Sequence, residues 1–403
     1  MNILHITNGD GQYGSALALM ELIDRELSEG ITPIVLSPRY NELIEHCIEK
    51  NIKHYVFFYE WSQIPKHNAA PVFALKYIFR FFSYLINNPK AERHIEKILI
   101  DDAIDIVHTN NMVIDVGMKA AGRLSVPHVW HLRELLKENY NCYPIKKNYI
   151  KKLNDSAGSF IAVSEFVKKS WVAEGIDDKR ISVIYDGIDG NLFGEKSKSD
   201  DACGANSESE RVNIVMCGSF CTAKNQKQLV EAVSLLGDAE RKRVHVALYG
   251  RKQGQYYEET VGMIKEKGLQ QCIEIMGYCE NIPEELKKYD CGIMCSSNEA
   301  FGRVTIEYMM AGLCTVATDA GANREVTDDG KKALLYNADS AEHLADIIRM
   351  LIADRDKMIR LGRNGREWAE SRFDINKNVP ALFELFDQLI SEKNRTVIRY
   401  LSC

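Results

Sequence analysis

Short apolar runs alternate along this chain with longer stretches in which apolar positions recur at helical spacing. The first run, Asn2–Ile6, passes into Gly9-Asp10-Gly11-Gln12-Tyr13-Gly14, and Ser15 is placed to cap a helix running to about residue 28, with Gly30 as its stop. Residues 32–36 predict the next strand, and further strands are predicted at 104–108, 129–132, 159–163 and 181–184. Apolar strands separated by helices describe an α/β chain with a parallel sheet covered on both faces.

The pattern breaks at residues 195–210, EKSKSDDACGANSESE, which are polar and almost devoid of large apolar side chains. It then restarts: strands are predicted at 212–216, Val244–Tyr249, 273–276, 291–295 and 314–317, with a helix at 226–236. The expected organisation is a first domain over 1–193, a polar linker over 194–211, a second domain over 212–375, and a terminal helix and tail over 376–403, with an amphipathic stretch at 379–391.

Composition narrows the function class. With 403 residues, 45% hydrophobic and 27% charged, the chain is long enough for two cores and is not disordered as a whole. Its 51 basic and 57 acidic residues give a formal net charge of −6, so nothing marks it as a nucleic-acid binder. Eleven scattered cysteines, an odd number in a chain of this size, fit reduced thiols in a cytosolic compartment. The first residues carry no cationic leader or cleavage site, and the most apolar window, 72–86, is interrupted by Lys76 and Arg80, short of the roughly 20 residues of a spanning helix. The expectation is a cytoplasmic protein.

The segment richest in chemistry is Ser296-Ser297-Asn298-Glu299-Ala300-Phe301-Gly302-Arg303-Val304-Thr305-Ile306-Glu307-Tyr308-Met309-Met310-Ala311-Gly312. It follows a predicted strand and opens a helix, a junction whose free N–H groups and dipole suit a phosphate. Apolar residues lie on several faces of that helix, so Glu307 is a carboxylate in need of a partner. Either it faces a ligand, or it pairs with Arg303 one turn earlier, in the weaker orientation for such a pair. Metal chemistry has little support: Cys217/Cys221 and Cys291/Cys295 are not spaced as zinc pairs, and a Walker-type reading of 218–224 lacks the glycine before Lys224.

Two glutamates separated by seven residues, with Phe-Gly after the first and Ala-Gly after the second, resemble the E-x7-E signature of retaining GT-B glycosyltransferases, the group 1 or family 4 enzymes. The resemblance extends to Ala162-Val163-Ser164-Glu165, to Val183-Ile184-Tyr185-Asp186-Gly187-Ile188-Asp189, to Gly218-Ser219-Phe220 with Lys224-Asn225, and to Asp319-Ala320-Gly321-Ala322-Asn323-Arg324-Glu325. It implies the GT-B fold, two Rossmann-like domains facing a central cleft, and a nucleotide diphosphate sugar as donor substrate, with no cofactor; no Asp-x-Asp pair is placed as in the metal-dependent single-domain transferases, so catalysis without an essential divalent metal is expected. By the same resemblance Glu299 contacts donor-sugar hydroxyls, Glu307 holds the ribose, and Lys224 neutralises the leaving phosphate. The amides around Phe301, Gly302, Arg303 and Val304 bind the diphosphate; Ser219, Gly321, Glu325 and the Gly14 loop complete the donor site, and His131 lies near the reacting sugar. Without that context, Lys224 reads as a solvated loop lysine and His131 as a structural histidine. Arg133 is a second candidate for a phosphate or acidic acceptor. Ser219 stands where the family often has arginine, leaving Arg303 or Arg251 to supply the charge; Gly321-Ala322 replaces a Gly-Gly pair, and Asp186 a frequent asparagine.

Two basic, aromatic stretches, 72–86 and 137–152, suit either a membrane surface or a core helix and a solvated face. The expected acceptor is a saccharide or lipid-linked saccharide, as in surface-polysaccharide assembly, with contact at the inner face of a membrane. The rivals are a transferase with a soluble acceptor, a GT-B nucleotide-sugar epimerase, and a nucleotide-binding subunit without activity.

Overall fold

A computed structural model describes residues 1–9, 14–65, 70–135, 142–145, 148–156, 158–194 and 211–401. The chain divides into two compact units, residues 1–187 with 376–403, and residues 188–375. The division falls before 193 because Ile188 is bonded on both sides to the second unit: its N–H donates to Phe373 (2.8 Å) and its carbonyl accepts from Ile375 (3.1 Å). The predicted linker lies almost wholly outside the described residues, as do residues 10–13 of the first glycine-rich loop.

In the first unit, strands β1 (Asn2–Ile6), β2 (Thr32–Ser37), β3 (Lys53–Val56), β5 (Ile106–Thr109), β6 (His128–Leu132), β8 (Ser159–Ala162) and β9 (Ile181–Val183) form a parallel sheet in the order β3-β2-β1-β5-β6-β8-β9. A separate antiparallel pair joins β4 (Gln63–Pro65) to β7 (Cys142–Pro144). Leu4, Ile6, Leu36 and Val107 meet Ile95, Ile98 and Ala120 in a core between sheet and helices. The helix that the aromatic window predicts runs much further, Ala70–Asp101, and continues through Pro89. The helix after β1 begins at Gly14, so Ser15 lies inside it. The terminal helix, Ile375–Leu401, is grouped with this unit over almost its whole length: Leu382 and Phe386 are buried, and the Phe386 ring lies 5.9 Å from that of His108.

The second unit repeats the plan with β10 (Val212–Cys217), β11 (Val244–Tyr249), β12 (Ile273–Gly277), β13 (Cys291–Met294), β14 (Cys314–Thr318) and β15 (Leu334–Tyr336), all parallel, in the order β12-β11-β10-β13-β14-β15. Its core packs Ile214, Val246 and Ile293 against Leu229, Val233, Leu344 and Ile348. All nine cysteines among the described residues are free thiols. No helix among those residues is long and apolar enough to cross a membrane.

Candidate active site

The second sheet reverses direction at β10: β11 and β12 fill one side, and the chain returns to place β13 on the other. Ligands of open parallel sheets bind beyond the carboxyl ends of the strands at such a reversal. The loops leaving β10 and β13 carry Lys224 and Glu299, and Lys224 Nζ donates to Glu299 Oε1 at 2.5 Å. Both side chains are partly open to solvent, 28% and 15% exposed, so the pair can exchange its contact for a ligand's.

Local chemistry presents each partner. Lys224 sits in a turn closed by the N–H groups of Lys224 and Asn225, both donating to the Cys221 carbonyl at 3.1 Å. Asn225 takes the left-handed conformation that follows (φ 54°), which asparagine tolerates better than most residues. The buried Gln226 amide donates to the Ser219 carbonyl at 2.9 Å, and the Lys224 stem runs along Gly218. At Gly250 a Cβ would stand 2.3 Å from the Gly218 carbonyl oxygen, so only glycine lets the ends of β10 and β11 approach this way.

Glu299 is held from behind by the loop after β14. Its carbonyl accepts the Ala322 N–H at 2.8 Å, and Gly321 (φ 61°) lies so close that a Cβ would be 2.4 Å from that same oxygen. The next residue, the buried Asn323, donates to the Thr318 carbonyl (3.1 Å) and accepts from Thr305 Oγ1 (3.2 Å), which binds this loop to the helix Arg303–Met310. That helix starts after Gly302 in the left-handed conformation (φ 81°, ψ 42°). It is fixed to β10 by Tyr308, whose hydroxyl accepts the Cys217 N–H at 2.6 Å, its ring filling the space that Gly292 leaves.

Glu307 does pair with Arg303, Nε to Oε1 at 2.8 Å, with both side chains about one-sixth exposed. The i, i+4 contact that the sequence left open therefore forms. Phe301 is buried with its ring 5.9 Å from Phe373, Val304 and Glu325 are half-buried, and Ser219 is exposed. Arg251 lies 4.6 Å from the Tyr278 ring centroid.

In the first unit, Gly14 is exposed at the head of its helix. His131, the penultimate residue of β6, is only 3% exposed. Its Nδ1 lies 3.1 Å from His108 Nε2 and 3.3 Å from Arg133 Nη2, whereas Nε2 lies 3.9 Å from Asp186 Oδ1 and has no hydrogen-bond partner among the described residues. Burial, then the charge of Arg133, holds the imidazole well below the ordinary histidine range, so it is neutral. Arg133 does not offer the free charge expected of it: its guanidinium binds Asp186 and donates to Asn110 Oδ1 at 2.8 Å. Of the second basic stretch, 136–141 and 146–147 lie outside the described residues, and Lys151 pairs with Asp155.

Sequence reasoning missed the ties that hold these groups: Asn323, Tyr308 and Gly250 in the second unit, His5 and His108 in the first. The signal for the last two was a histidine inside each of two otherwise apolar strands.

The description "Glycosyl transferases group 1" matches residues 201–368, and "Glycosyltransferase Family 4" matches residues 38–191, so the two together span most of the chain. Among curated relatives, an uncharacterized glycosyltransferase of Methanocaldococcus jannaschii is 23% identical over 84% of this chain and 91% of its own length. A Staphylococcus aureus capsular polysaccharide biosynthesis glycosyltransferase is 20% identical over 72% and 79%. Among solved structures, Anabaena HepE in complex with UDP superposes with a TM-score of 0.75 at 22% identity, covering 96% of this chain and all of that one. A Rickettsia africae glycosyltransferase gives 0.76 at 20% identity over 96% and 98%. The matched families span both Rossmann-like halves, and the chain belongs to the group 1 glycosyltransferases with the GT-B fold.

Proposed function

We propose that this glycosyltransferase moves a sugar from a nucleotide diphosphate donor to a hydroxyl acceptor with retention of the anomeric configuration. The observation that carries this reading is the Lys224–Glu299 pair at the reversal point of the second sheet, beside the amino end of the helix bearing Glu307. In this role Lys224 and the first amides of that helix stabilise charge developing on the departing diphosphate, the largest demand of the reaction. Glu299 accepts from donor-sugar hydroxyls and Glu307 from the ribose. The bond from the anomeric carbon to the phosphate oxygen breaks, the acceptor oxygen bonds to that carbon from the same face, and its proton passes to the departing phosphate. Lys224 supplies the positive charge here, so no divalent ion is assigned. Relatives and structural neighbours support a nucleotide-sugar donor: HepE has been solved with UDP-glucose, and a Mycobacterium tuberculosis relative is named GDP-mannose-dependent.

The experiment is donor binding and slow hydrolysis across uridine, guanosine, adenosine and thymidine diphosphate sugars, with chelator present. One donor should bind, and Glu307→Ala should weaken it by about 10- to 100-fold, the worth of a charged hydrogen bond. Proton NMR of the product should show the donor's own anomeric configuration. If no donor binds to folded protein, the transferase reading fails and a nucleotide-free subunit takes its place.

For the acceptor, the first unit offers an unusual surface. On the helix Ala70–Asp101, Leu75, Ile78, Phe79, Phe82, Leu85 and Ile86 are exposed, Phe79 by 73%, whereas Phe73, Tyr77 and Phe81 pack inward against Ile64 and Ile145. An apolar stripe of this kind with Lys76 beside it suits the boundary of a lipid surface, and we assign it to docking of a lipid-linked saccharide. Arg80 is engaged with Glu60 (3.6 Å) and the Trp61 ring, so the apolar side chains are the ones to change. Replacing Leu75, Phe79 and Phe82 together by serine should cut co-sedimentation with anionic vesicles about tenfold while hydrolysis of the donor continues. Unaltered sedimentation would move the acceptor to the soluble class.

A further inference from the structure

Glu26, His5, His108 and His131 make an unbroken polar line through the interior of the first unit. His5 Nε2 meets Glu26 Oε2 at 2.9 Å, His5 Nδ1 meets His108 Nδ1 at 2.9 Å, and His108 Nε2 meets His131 Nδ1 at 3.1 Å. The histidines come from β1, β5 and β6, neighbours in the sheet, with His5 and His108 in direct register. Glu26, His5 and His108 are all 0% exposed. Apolar residues would fill these places at less cost, since each imidazole and the carboxylate lose their hydration. Among the described residues no such group is arranged to hold a metal ion.

The far end of the line sets its direction. A guanidinium only donates, so His131 Nδ1, facing Arg133 Nη2 at 3.3 Å, is an acceptor, and the neutral ring carries its hydrogen on Nε2. His108 Nε2 must then also donate to that Nδ1. Burial, and then the charges of its histidine neighbours, keep His108 neutral, so its Nδ1 is a lone pair and His5 Nδ1 donates to it. The contact between His5 and Glu26 therefore holds one further proton, shared between imidazole and carboxylate.

We propose that Arg133 is the positioning residue that locks His131 with its hydrogen on Nε2, with His108, His5 and Glu26 arranged to accept that direction along the line, so that His131 offers a hydrogen bond to a sugar or phosphate oxygen and never acts as a base. The ligand half of this statement rests on the transferase reading; the tautomer does not. His131 Nε2 is buried and has no hydrogen-bond partner among the described residues, which leaves its hydrogen for such an oxygen. The hydrogen orients and is not transferred.

Removing Arg133 tests the direction, because the carboxylate at the other end is then the only group that dictates it. With Glu26 ionised, His5 donates from Nε2, and every hydrogen along the line turns over, leaving His131 with its hydrogen on Nδ1. The measurement is a long-range proton–nitrogen correlation spectrum of the full chain labelled at histidine nitrogen, with the His131 signals identified by their loss in His131→Gln. The wild-type spectrum should show His131 protonated at Nε2 and bare at Nδ1; the opposite pattern would overturn the proposal without recourse to any variant. Glu26→Gln, whose amide can donate to His5, should keep the wild-type pattern. Arg133→Met should invert it and lower kcat about tenfold with donor KM within about twofold, since a donor has become an acceptor. An uninverted spectrum in Arg133→Met would sink the directional argument. A locked tautomer in a protein that transfers no sugar would leave the array standing and remove only its ligand.

Discussion

Gly321→Ala is expected to lower transfer about 100-fold in a protein that still folds, the scale on which a misplacement of about 1 Å acts. Gly321 has φ of 61°, where an L side chain costs about 1–2 kcal/mol on its own. Its added methyl would stand 2.4 Å from the Glu299 carbonyl oxygen and 2.6 Å from its nitrogen, distances that no packed atoms keep. Either the loop after β14 withdraws and gives up the Ala322 bond, or the backbone of Glu299 moves and takes its carboxylate from Lys224. Gly330→Ala is the control: its φ is 80°, but the nearest atom is a Leu335 side chain at 3.4 Å. It should lose similar stability and keep its activity. Full activity in Gly321→Ala would mean that the placing of Glu299 is immaterial to the reaction.

The second large effect is acid instability confined to the first unit. His108 and His131 are held well below their ordinary value of 6.5, by burial first and by neighbouring positive charge or imidazole second, and burial alone brings His128 down to about 3. Below 6.5 the unfolded chain binds protons at these sites that the folded one refuses, so stability is complete above that value and drains as pH falls toward the folded values. At about pH 5 each of the three costs roughly 2 kcal/mol, about 6 kcal/mol in all, which is comparable with the whole stability of many domains. The second unit has His245 and His343, neither of them buried, and should hold. Urea titrations at about pH 7.5 and pH 5 can separate the two, because Trp130 and Trp171 are buried in the first unit and Trp368 belongs to the second. Equal loss in both units, or none, would contradict the assignment of neutral buried histidines.

Most strands of both parallel sheets were legible because a strand covered on both faces is apolar over most of its length, as in β13, Cys291–Met294; the short strand β15 was not predicted. The edge strand β3, Lys-His-Tyr-Val, is half-buried to exposed and carries no such run, so nothing in its composition announces it. The long helix of the first unit was under-read because its apolar window ends at residue 86, whereas the helix runs on through Pro89 to Asp101 in a more polar stretch. In the site, the order of Glu299, Gly302 and Glu307 on a strand–loop–helix junction could be read directly, since all of it is local. The Lys224–Glu299 contact, 75 residues apart, could be placed only through the family pattern. The histidines themselves stood out in their strands, but the line they form could not be read: His5, His108 and His131 meet only because β1, β5 and β6 are adjacent in space, an order that crossovers decide.

The return of the last helix to the first unit has a consequence for biogenesis. A ribosome releases residues 188–375 as one uninterrupted segment, so the second unit has every strand of its sheet before the helix carrying Leu382 and Phe386 has been made. The first unit, though begun earlier, waits for that helix to cover the ring of His108. The usual amino-to-carboxyl order of domain completion is thereby inverted, and the nascent chain carries an unfinished amino-terminal body, with apolar surface uncovered, for as long as its insert takes to be translated.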